Sequence, residues 1–300
     1  MRLATSVLAL LLSAPLLAQQ QTLPLWPNGT PEPAHTAEPE HDATKPTDAL
    51  VAGKPLQHLT DVTKPNLALY PAPNPNGAAI LVFPGGGYSI LAYDLEGTEV
   101  CSWLNSIGVS CILVKYRVPE QGHFPANTED LEDAQQAMRL TRAHAADWHI
   151  DPNRIGVLGF SAGAHLAATL ATHPDFTRSS SPGTHVDRTI SARPNFALII
   201  YPGYLAVPPA LNTLDPALTP TASNPPTFLL QAEDDPVHVE NVVFYFRALK
   251  DAHVPAELHI FAEGGHGYGL RPTDLPITHW PNLATTWLHT IHMLPPNPKP

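Results

Sequence analysis

One serine of this chain has neighbours that can turn its hydroxyl into a nucleophile. Ser161 is the central residue of Gly159-Phe-Ser-Ala-Gly163, which follows the apolar run 155–158 and precedes the small, apolar run 164–171. This pattern predicts a strand, a sharp turn and a helix, with glycine at the two points where a side chain would clash as the chain reverses. Such a turn lifts the hydroxyl clear of the sheet. The chemistry it predicts is attack on a carbonyl carbon.

A serine that attacks at neutral pH needs a histidine to accept its proton. His266 is flanked by glycine in the segment 264–269, directly after an apolar run, and a loop of that kind can carry an imidazole to the serine. His165 is closer in sequence but lies one helical turn past Ser161. At that offset we expect packing and hydrogen bonding rather than proton transfer.

The histidine in turn needs a carboxylate that holds its tautomer. The apolar run 228–231 ends in three acids, of which Asp234 and Asp235 compete for this role and Glu233 is a more distant candidate. The residue types alone do not separate the two aspartates, because each can instead cap the helix expected from about residue 239.

Acyl transfer also places negative charge on the carbonyl oxygen, so backbone N–H groups must already point at it. The glycine-rich segment 84–88 follows a predicted strand and offers bare backbone. We expect Gly86 and Gly87 to donate N–H groups to this oxygen together with Ala162, the residue after the serine. The alternative is an ordinary glycine-rich turn.

The elements that must position these residues alternate between strand and helix. Continuous apolar runs, as expected for strands covered on both faces, occur at 67–70, 78–83, 109–116, 155–158, 196–201, 227–231 and 256–261. Helical patterns lie between them, at 95–106, 128–147, 164–172, 239–253 and 282–292. The alternation predicts an α/β fold with a mostly parallel, doubly wound sheet and helices on both faces. In such sheets the reactive groups gather at the carboxyl ends of the strands.

The N-terminus resembles a secretory signal peptide. Residues 1–18 have a basic start, a short apolar core and a small residue before a polar stretch, which predicts export and cleavage near Ala18. The mature protein would then be secreted or periplasmic, without a membrane attachment. An uncleaved anchor is the alternative.

The remaining chain is expected to form one catalytic domain, because 43% of the residues of the full sequence are hydrophobic and no pattern divides the core. The long segment 202–226 is either a lid or pocket wall or a passive surface loop. The predicted division is a signal peptide at 1–18, an extended and poorly packed proline-rich lead-in at 19–60, the catalytic domain at 61–294 and a tail at 295–300.

Charge and composition argue against other classes of protein. The formal charge is −11 with only 16 Lys and Arg residues, which disfavours nucleic acid as a partner. The 16 histidines form no spaced pair typical of a metal site, so we expect no metal and no cofactor. Cys101 and Cys111 are either buried thiols or a disulfide, depending on a distance that sequence does not set.

Together these motifs are similar to those of the α/β hydrolases, in the branch that contains carbohydrate esterases such as acetylxylan esterases and feruloyl esterase-like enzymes. The likeness covers roughly residues 67–292 and includes the order serine, acid, histidine. In this family an aspartate is followed three residues later by valine, a pattern that fits Asp234 and Val237. The resemblance therefore implies a triad of Ser161, Asp234 and His266. Pro84 departs from the histidine that related esterases often carry before the glycines.

The resemblance further implies hydrolysis of acyl esters, with acetyl favoured, on plant cell-wall carbohydrate such as xylan. Tyr88, Tyr204 and Tyr268 are expected at the rim of the substrate site. Two alternatives stay open: a serine peptidase of the dipeptidyl or prolyl peptidase type, and a non-catalytic sugar-binding protein of the same fold. The acyl group, the sugar and the oligomeric state are not fixed by the sequence.

Overall fold

A twisted sheet of eight strands runs through the centre of the molecule. The computed structural model describes residues 21–33, 35–178 and 187–296. The large sheet has the order β1-β4-β7-β5-β8-β9-β10-β11, and β2, β3 and β6 form a small antiparallel sheet beside it. The strands are β1 (Gln21–Pro24), β2 (His41–Asp42), β3 (His58–Thr60), β4 (Asn66–Tyr70), β5 (Ala79–Phe83), β6 (Leu91–Ala92), β7 (Ser110–Lys115), β8 (Ile155–Phe160), β9 (Ala197–Ile200), β10 (Thr227–Ala232) and β11 (Ala256–Phe261).

The strands from β7 to β11 in the sheet order are parallel, whereas β1 and β4 pair antiparallel at one edge. Successive side chains of a strand point to opposite faces. In β5, Ile80 and Val82 enter one apolar core, and Leu81 and Phe83 enter the other. Because both faces are covered, the strand reads as an unbroken apolar run rather than an alternating one.

Helices cover both faces. They are α1 (Glu99–Ser106), α2 (Glu129–Ala143), α3 (Ala162–Thr172), α4 (Glu240–Asp251) and α5 (Trp280–Thr290). Buried residues of α2, α3 and α4 belong to one core, and those of α1 and α5 belong to the other. The predicted doubly wound α/β fold is therefore confirmed. Among the residues that the structure describes, no helix has the length and apolar character of a membrane span.

The helix expected from residue 95 begins differently. A π-helical turn, Asp94–Thr98, precedes α1 and carries three buried residues. Single π-helical turns are rare and often occur at functional sites. This turn places Glu96 inside the protein, a position that helical periodicity did not predict.

The beginning of the lead-in is better packed than expected. β1 pairs with β4 of the main sheet, and Leu25 is completely buried. The indole Nε1 of Trp26 donates to the Asp133 carboxylate at 2.6 Å. The expectation of poor packing is wrong for this part because its apolar residues complete the edge of the core. The predicted signal peptide lies outside the described residues, and so does most of the predicted tail.

Cys101 and Cys111 form a disulfide between α1 and β7. Their Cα atoms lie 5.1 Å apart, within the range that a disulfide requires. Of the two alternatives that the sequence left open, the bridge is the one that the structure contains.

Candidate active site

Ser161 occupies the sharp turn between β8 and α3. Its φ is +51° and its ψ is −119°, a conformation that is strained for a residue with a side chain. A Cβ at Gly159 would lie 2.0 Å from the Gly163 carbonyl oxygen, and one at Gly163 would lie 2.1 Å from that of Phe83. Glycine is therefore required at both positions, and the turn predicted from the sequence is confirmed.

His266 lies between Ser161 and a buried carboxylate. Its Nε2 is 2.8 Å from Ser161 Oγ, and its Nδ1 is 2.9 Å from Asp235 Oδ2. With Nδ1 protonated, Nε2 is free to accept the serine proton. The side chain of Asp235 is fully buried, whereas that of His266 remains 23% exposed. The geometry is that of a nucleophile, a general base and an orienting carboxylate.

The carboxylate that contacts His266 is that of Asp235, so the prediction of Asp234 is wrong. Asp235 Oδ2 also accepts from Gln231 Nε2, and its Oδ1 accepts from the Val237 amide. Asp234 is exposed, and its Oδ1 accepts from the amides of Gly264 and Gly265 at 2.9 and 2.8 Å. Asp234 therefore fixes the backbone of the histidine loop, residues 262–269. Asp235 therefore has the contact with His266 that the resemblance implied for Asp234.

The expected oxyanion donors belong to two segments that border Ser161. Residues 84–88, here called the glycine loop, begin where the carbonyls of Phe83 and Pro84 pack against Gly163. No hydrogen bond among the described residues uses the amides of Gly86 or Gly87. Ala162 is the first residue of α3, and the first N–H groups of a helix have no partner within it. All three amides are thus available for an acyl oxygen.

A cavity of about 530 Å³ opens beside Ser161. Its walls include Gly87, His123 and residues between 203 and 215 of the segment 202–226, Tyr204 among them. Asn241 holds that segment in place, since its Oδ1 accepts from the amides of Leu205 and Ala206. The pocket-wall alternative for 202–226 therefore agrees with the structure.

Of the three tyrosines expected at the rim, only Tyr204 lines this cavity. It is 41% exposed, and its ring centroid is 4.6 Å from that of His123. Tyr88 and Tyr268 are buried, at 3% and 8% exposure, so the expectation for these two is wrong. The Tyr88 hydroxyl instead contacts His165 Nδ1 at 2.7 Å, and Tyr268 packs against Tyr201. Tyrosine in a motif does not by itself distinguish a rim from a core position.

His165 is fully buried, as expected for a packing residue. Burial, together with the neighbouring His123, lowers the pKa of His165 to about 3. The ring is therefore neutral at physiological pH. It packs edge to face against the rings of Tyr88, His123 and Tyr204, and the imidazole that meets Ser161 Oγ is that of His266.

Two carboxyl groups are also buried near the glycine loop, those of Glu120 and Asp130. Neither carboxylate oxygen of Glu120 has a hydrogen-bond partner among the described residues, while its backbone amide donates to the Tyr88 carbonyl. Burial, and then the nearby Asp130, raises the pKa of Glu120 above its ordinary value. Burial likewise raises the pKa of Asp130. Folding therefore shifts both carboxyls toward their protonated forms, relative to the unfolded chain.

Glu96 and Tyr201 adjoin the site but were not predicted from the sequence. Glu96 accepts from the Gly85 amide and from the Tyr201 hydroxyl. For Glu96 the only indication in the sequence is that an acid occurs inside an apolar helical pattern. Tyr201 ends an apolar run and reads as an ordinary strand residue. Within the described residues, no group of three or more His, Cys, Asp or Glu side chains is arranged to hold a metal ion.

Known proteins share this arrangement of elements. A sequence profile of the alpha/beta hydrolase fold matches residues 80–270. The chain is 31% identical over 246 residues to an acetylxylan esterase of Xylanibacter ruminicola, in an alignment that covers 74% of this chain and 47% of that protein. It is 30% identical over 226 residues to an ethyl acetate hydrolase of Pseudomonas putida, covering 64% of this chain and 66% of that one. The chain thus spans about half the length of the acetylxylan esterase that it matches.

Solved structures of hydrolases and esterases are also similar to this chain. An acetyl ester-xyloside bifunctional hydrolase from Caldicellulosiruptor lactoaceticus superposes with a TM-score of 0.70 at 33% identity, covering 94% of this chain and all of that one. A thermophilic esterase from Thermogutta terrifontis, with propionate bound, has a TM-score of 0.66 at 27% identity, covering 79% and 93%. The predicted fold class and the resemblance to carbohydrate esterases are confirmed. The similarities also support the predicted enzyme class, a hydrolase of carboxylic esters.

Proposed function

The chain belongs to the alpha/beta hydrolase family, and from that premise we propose that it is a secreted serine esterase that removes acetyl groups from plant cell-wall carbohydrate such as xylan. The observation that carries the proposal is the continuous contact from Asp235 through His266 to Ser161 Oγ. A serine held in this way can attack an ester without a metal or a cofactor.

The residues divide the reaction between them. Ser161 Oγ attacks the ester carbonyl while His266 Nε2 takes its proton. His266 then gives the proton to the departing sugar hydroxyl, and an acyl-enzyme remains on Ser161. In the second half of the cycle, water gives a proton to His266 and attacks the acyl carbon. The bond to Ser161 Oγ then breaks, Oγ takes the proton back from His266, and the acid is released. Asp235 keeps Nδ1 protonated and stabilises the imidazolium that forms in each half.

The charge on the tetrahedral intermediate needs donors that are already in place. The amides of Gly86, Gly87 and Ala162 supply them in this proposal. Removing one such donor from a serine hydrolase costs about 10²–10³ in kcat. The glycine loop therefore contributes to the rate as well as to the shape of the site.

The proposed substrate class rests on the volume of the cavity and on the names of similar proteins. A volume of about 530 Å³ is much larger than an acetyl group needs, which leaves room for the carbohydrate that carries it. Tyr204 and His123 line its wall with their ring centroids 4.6 Å apart. Two of the similar proteins carry names that refer to acetylated xylan or xylosides.

Secretion draws on a different observation. Residues 1–18 have the pattern of a signal peptide. The disulfide between Cys101 and Cys111 is typical of proteins that leave the reducing cytosol. Both features favour a secreted or periplasmic protein.

The function is tested by acetate release from acetylated xylan, with feruloylated arabinoxylan, p-nitrophenyl acetate and an aminoacyl-proline substrate measured in parallel. We expect acetate release and aryl-ester hydrolysis by the wild type, and neither by Ser161→Ala with an unchanged thermal midpoint. Turnover confined to the aminoacyl-proline substrate would favour a peptidase. Binding of xylan without turnover of any substrate would favour a sugar-binding protein.

A further inference from the structure

A buried chain of hydrogen bonds joins the two loops that flank Ser161. The Gly85 amide of the glycine loop donates to Glu96 Oε2 at 2.6 Å. The Tyr201 hydroxyl donates to Glu96 Oε1 at 2.9 Å, and the amide of Gly269, in the histidine loop, donates to Tyr201 Oη at 3.1 Å. Glu96 is 3% exposed and Tyr201 is completely buried. We call Glu96 and Tyr201 together the brace.

The pattern of donors defines which form of Glu96 the brace requires. Tyr201 Oη already accepts from Gly269, so its own proton goes to Glu96. Glu96 then receives one donor on each oxygen, which suits an ionised carboxylate that only accepts. Burial raises the pKa of Glu96 overall, and the hydrogen bonds from Tyr201 and Gly85 and the proximity of His266 offset only part of that rise. An isolated carboxylate would be costly to bury, but this one is satisfied on both oxygens.

Tyr201 also contacts the ring of His266 and directly follows the residue that binds the Ser161 amide. Its ring meets that of His266 edge to face, with centroids 5.1 Å apart. It directly follows β9, whose last residue, Ile200, accepts the Ser161 amide through its carbonyl at 3.1 Å. The Tyr201 backbone has a φ of +37°, an unfavourable value for a residue with a side chain. Strain of this kind is maintained where the surrounding contacts fix one position of a side chain.

We propose that Glu96 and Tyr201 are positioning residues, which hold the amides of the glycine loop and the imidazole of His266 at the separation that acyl transfer on Ser161 requires. The inference rests on the proposed esterase function, because it concerns the same site. Neither residue lines the cavity. Their effect on the rate therefore passes through Gly85, Gly269 and the ring of His266.

Two near-isosteric substitutions break the brace. In Glu96→Gln one of the two donors faces an amide NH₂ instead of an oxygen. In Tyr201→Phe the ring against His266 remains, but Gly269 loses its acceptor and Glu96 loses a donor. A displacement of about 1 Å in a catalytic group can cost about 10² in rate. We expect each variant to lower kcat for p-nitrophenyl acetate about 10- to 100-fold, with KM changed less than about threefold.

The double variant gives an internal check. Both substitutions interrupt one chain of hydrogen bonds, so their effects are not independent. We expect the kcat of Glu96→Gln with Tyr201→Phe to be close to that of the slower single variant. A product of the two separate losses would contradict a shared brace.

Matched controls separate positioning from general stability. Glu99→Gln changes an acid in α1, close in sequence to Glu96, that binds Arg271, and Tyr245→Phe removes the hydroxyl of a buried tyrosine of α4. Neither residue lines the cavity. We expect both controls to keep wild-type kcat. If Glu96→Gln and Tyr201→Phe lower the thermal midpoint but keep kcat like the controls, the residues are merely structural and the inference is overturned.

The rate of reaction with a fluorophosphonate separates this inference from the proposed function, because that probe uses Ser161 and the same amides but no carbohydrate or acetyl group. Slower labelling of both brace variants supports positioning even if acetylated xylan is not a substrate. Labelling as fast as that of the wild type overturns the brace alone. A wild type that neither reacts nor turns over esters overturns both proposals.

Discussion

Replacing each of the two adjacent aspartates by asparagine tests the assignment of the acid. In Asp235→Asn the side chain has one oxygen for three donors: the Val237 amide, Gln231 Nε2 and His266 Nδ1. If the oxygen stays on Val237, the new NH₂ faces His266 Nδ1. The imidazole must then carry its proton on Nε2, where it can no longer accept the proton of Ser161.

The loss in kcat that we expect for Asp235→Asn follows from this wrong tautomer of His266. The equivalent change in a serine protease triad lowers kcat by about 10⁴. At 1.36 kcal/mol for each tenfold change, this corresponds to about 5 kcal/mol of transition-state stabilisation. Asp234→Asn differs because one oxygen already accepts both amides, Gly264 and Gly265. An asparagine oxygen can do the same, so we expect less than about a tenfold loss.

The assay is the kcat for p-nitrophenyl acetate, with thermal unfolding of both variants as the control for folding. The reasoning is refuted if Asp234→Asn is the more damaging change. It is also refuted if Asp235→Asn retains more than about a tenth of the wild-type kcat, since a neutral residue would then orient His266 well enough.

Three further predictions concern the surroundings of the site. Gly86→Ala would place a Cβ 2.1 Å from a backbone oxygen at a φ of +133°, and we expect kcat to fall about 10²–10³-fold. The control Gly53→Ala, also at positive φ but in open space, should retain the wild-type kcat. Because the raised pKa of Glu120 makes the folded protein bind more protons above about pH 4.5, the free energy of unfolding falls as pH rises, by up to about 1.4 kcal/mol per pH unit; Glu120→Gln should flatten this slope in denaturant titrations, and an unchanged slope would contradict the burial argument. Replacing Cys101 and Cys111 by serine opens a ten-residue loop and should cost about 2.7 kcal/mol of unfolding free energy, while activity per folded molecule stays the same; a larger loss of activity than of folded protein would count against a purely structural bridge.

Much of the fold could be predicted because its signals are local. The buried parallel strands read as continuous apolar runs, and the turn at Ser161 requires glycine within two residues on each side. His266 could be predicted as well, because glycines mark the loop that carries it. In each case a short stretch of sequence contains the whole physical reason.

The predictions that were wrong or missing concern contacts between segments that are distant in the sequence. Asp234 and Asp235 are neighbours with the same chemistry, and only the path of the histidine loop decides which one meets His266. Glu96 binds both Gly85 and Tyr201, and Tyr201 lies 105 residues after Glu96 in the chain. The contact between Glu96 and Tyr201 follows from the order of the strands in the sheet. Leu25 looked like part of an open lead-in because its partners in the core come from other elements.

The central claim is that His266 activates Ser161, and covalent labelling tests it most directly. Wild-type protein and His266→Ala are treated with a fluorophosphonate, and the modified peptide is identified by mass spectrometry. We expect one adduct, on Ser161, in the wild type and none in His266→Ala over the same period. An adduct on another residue, or equally fast labelling of Ser161 in His266→Ala, would contradict the claim.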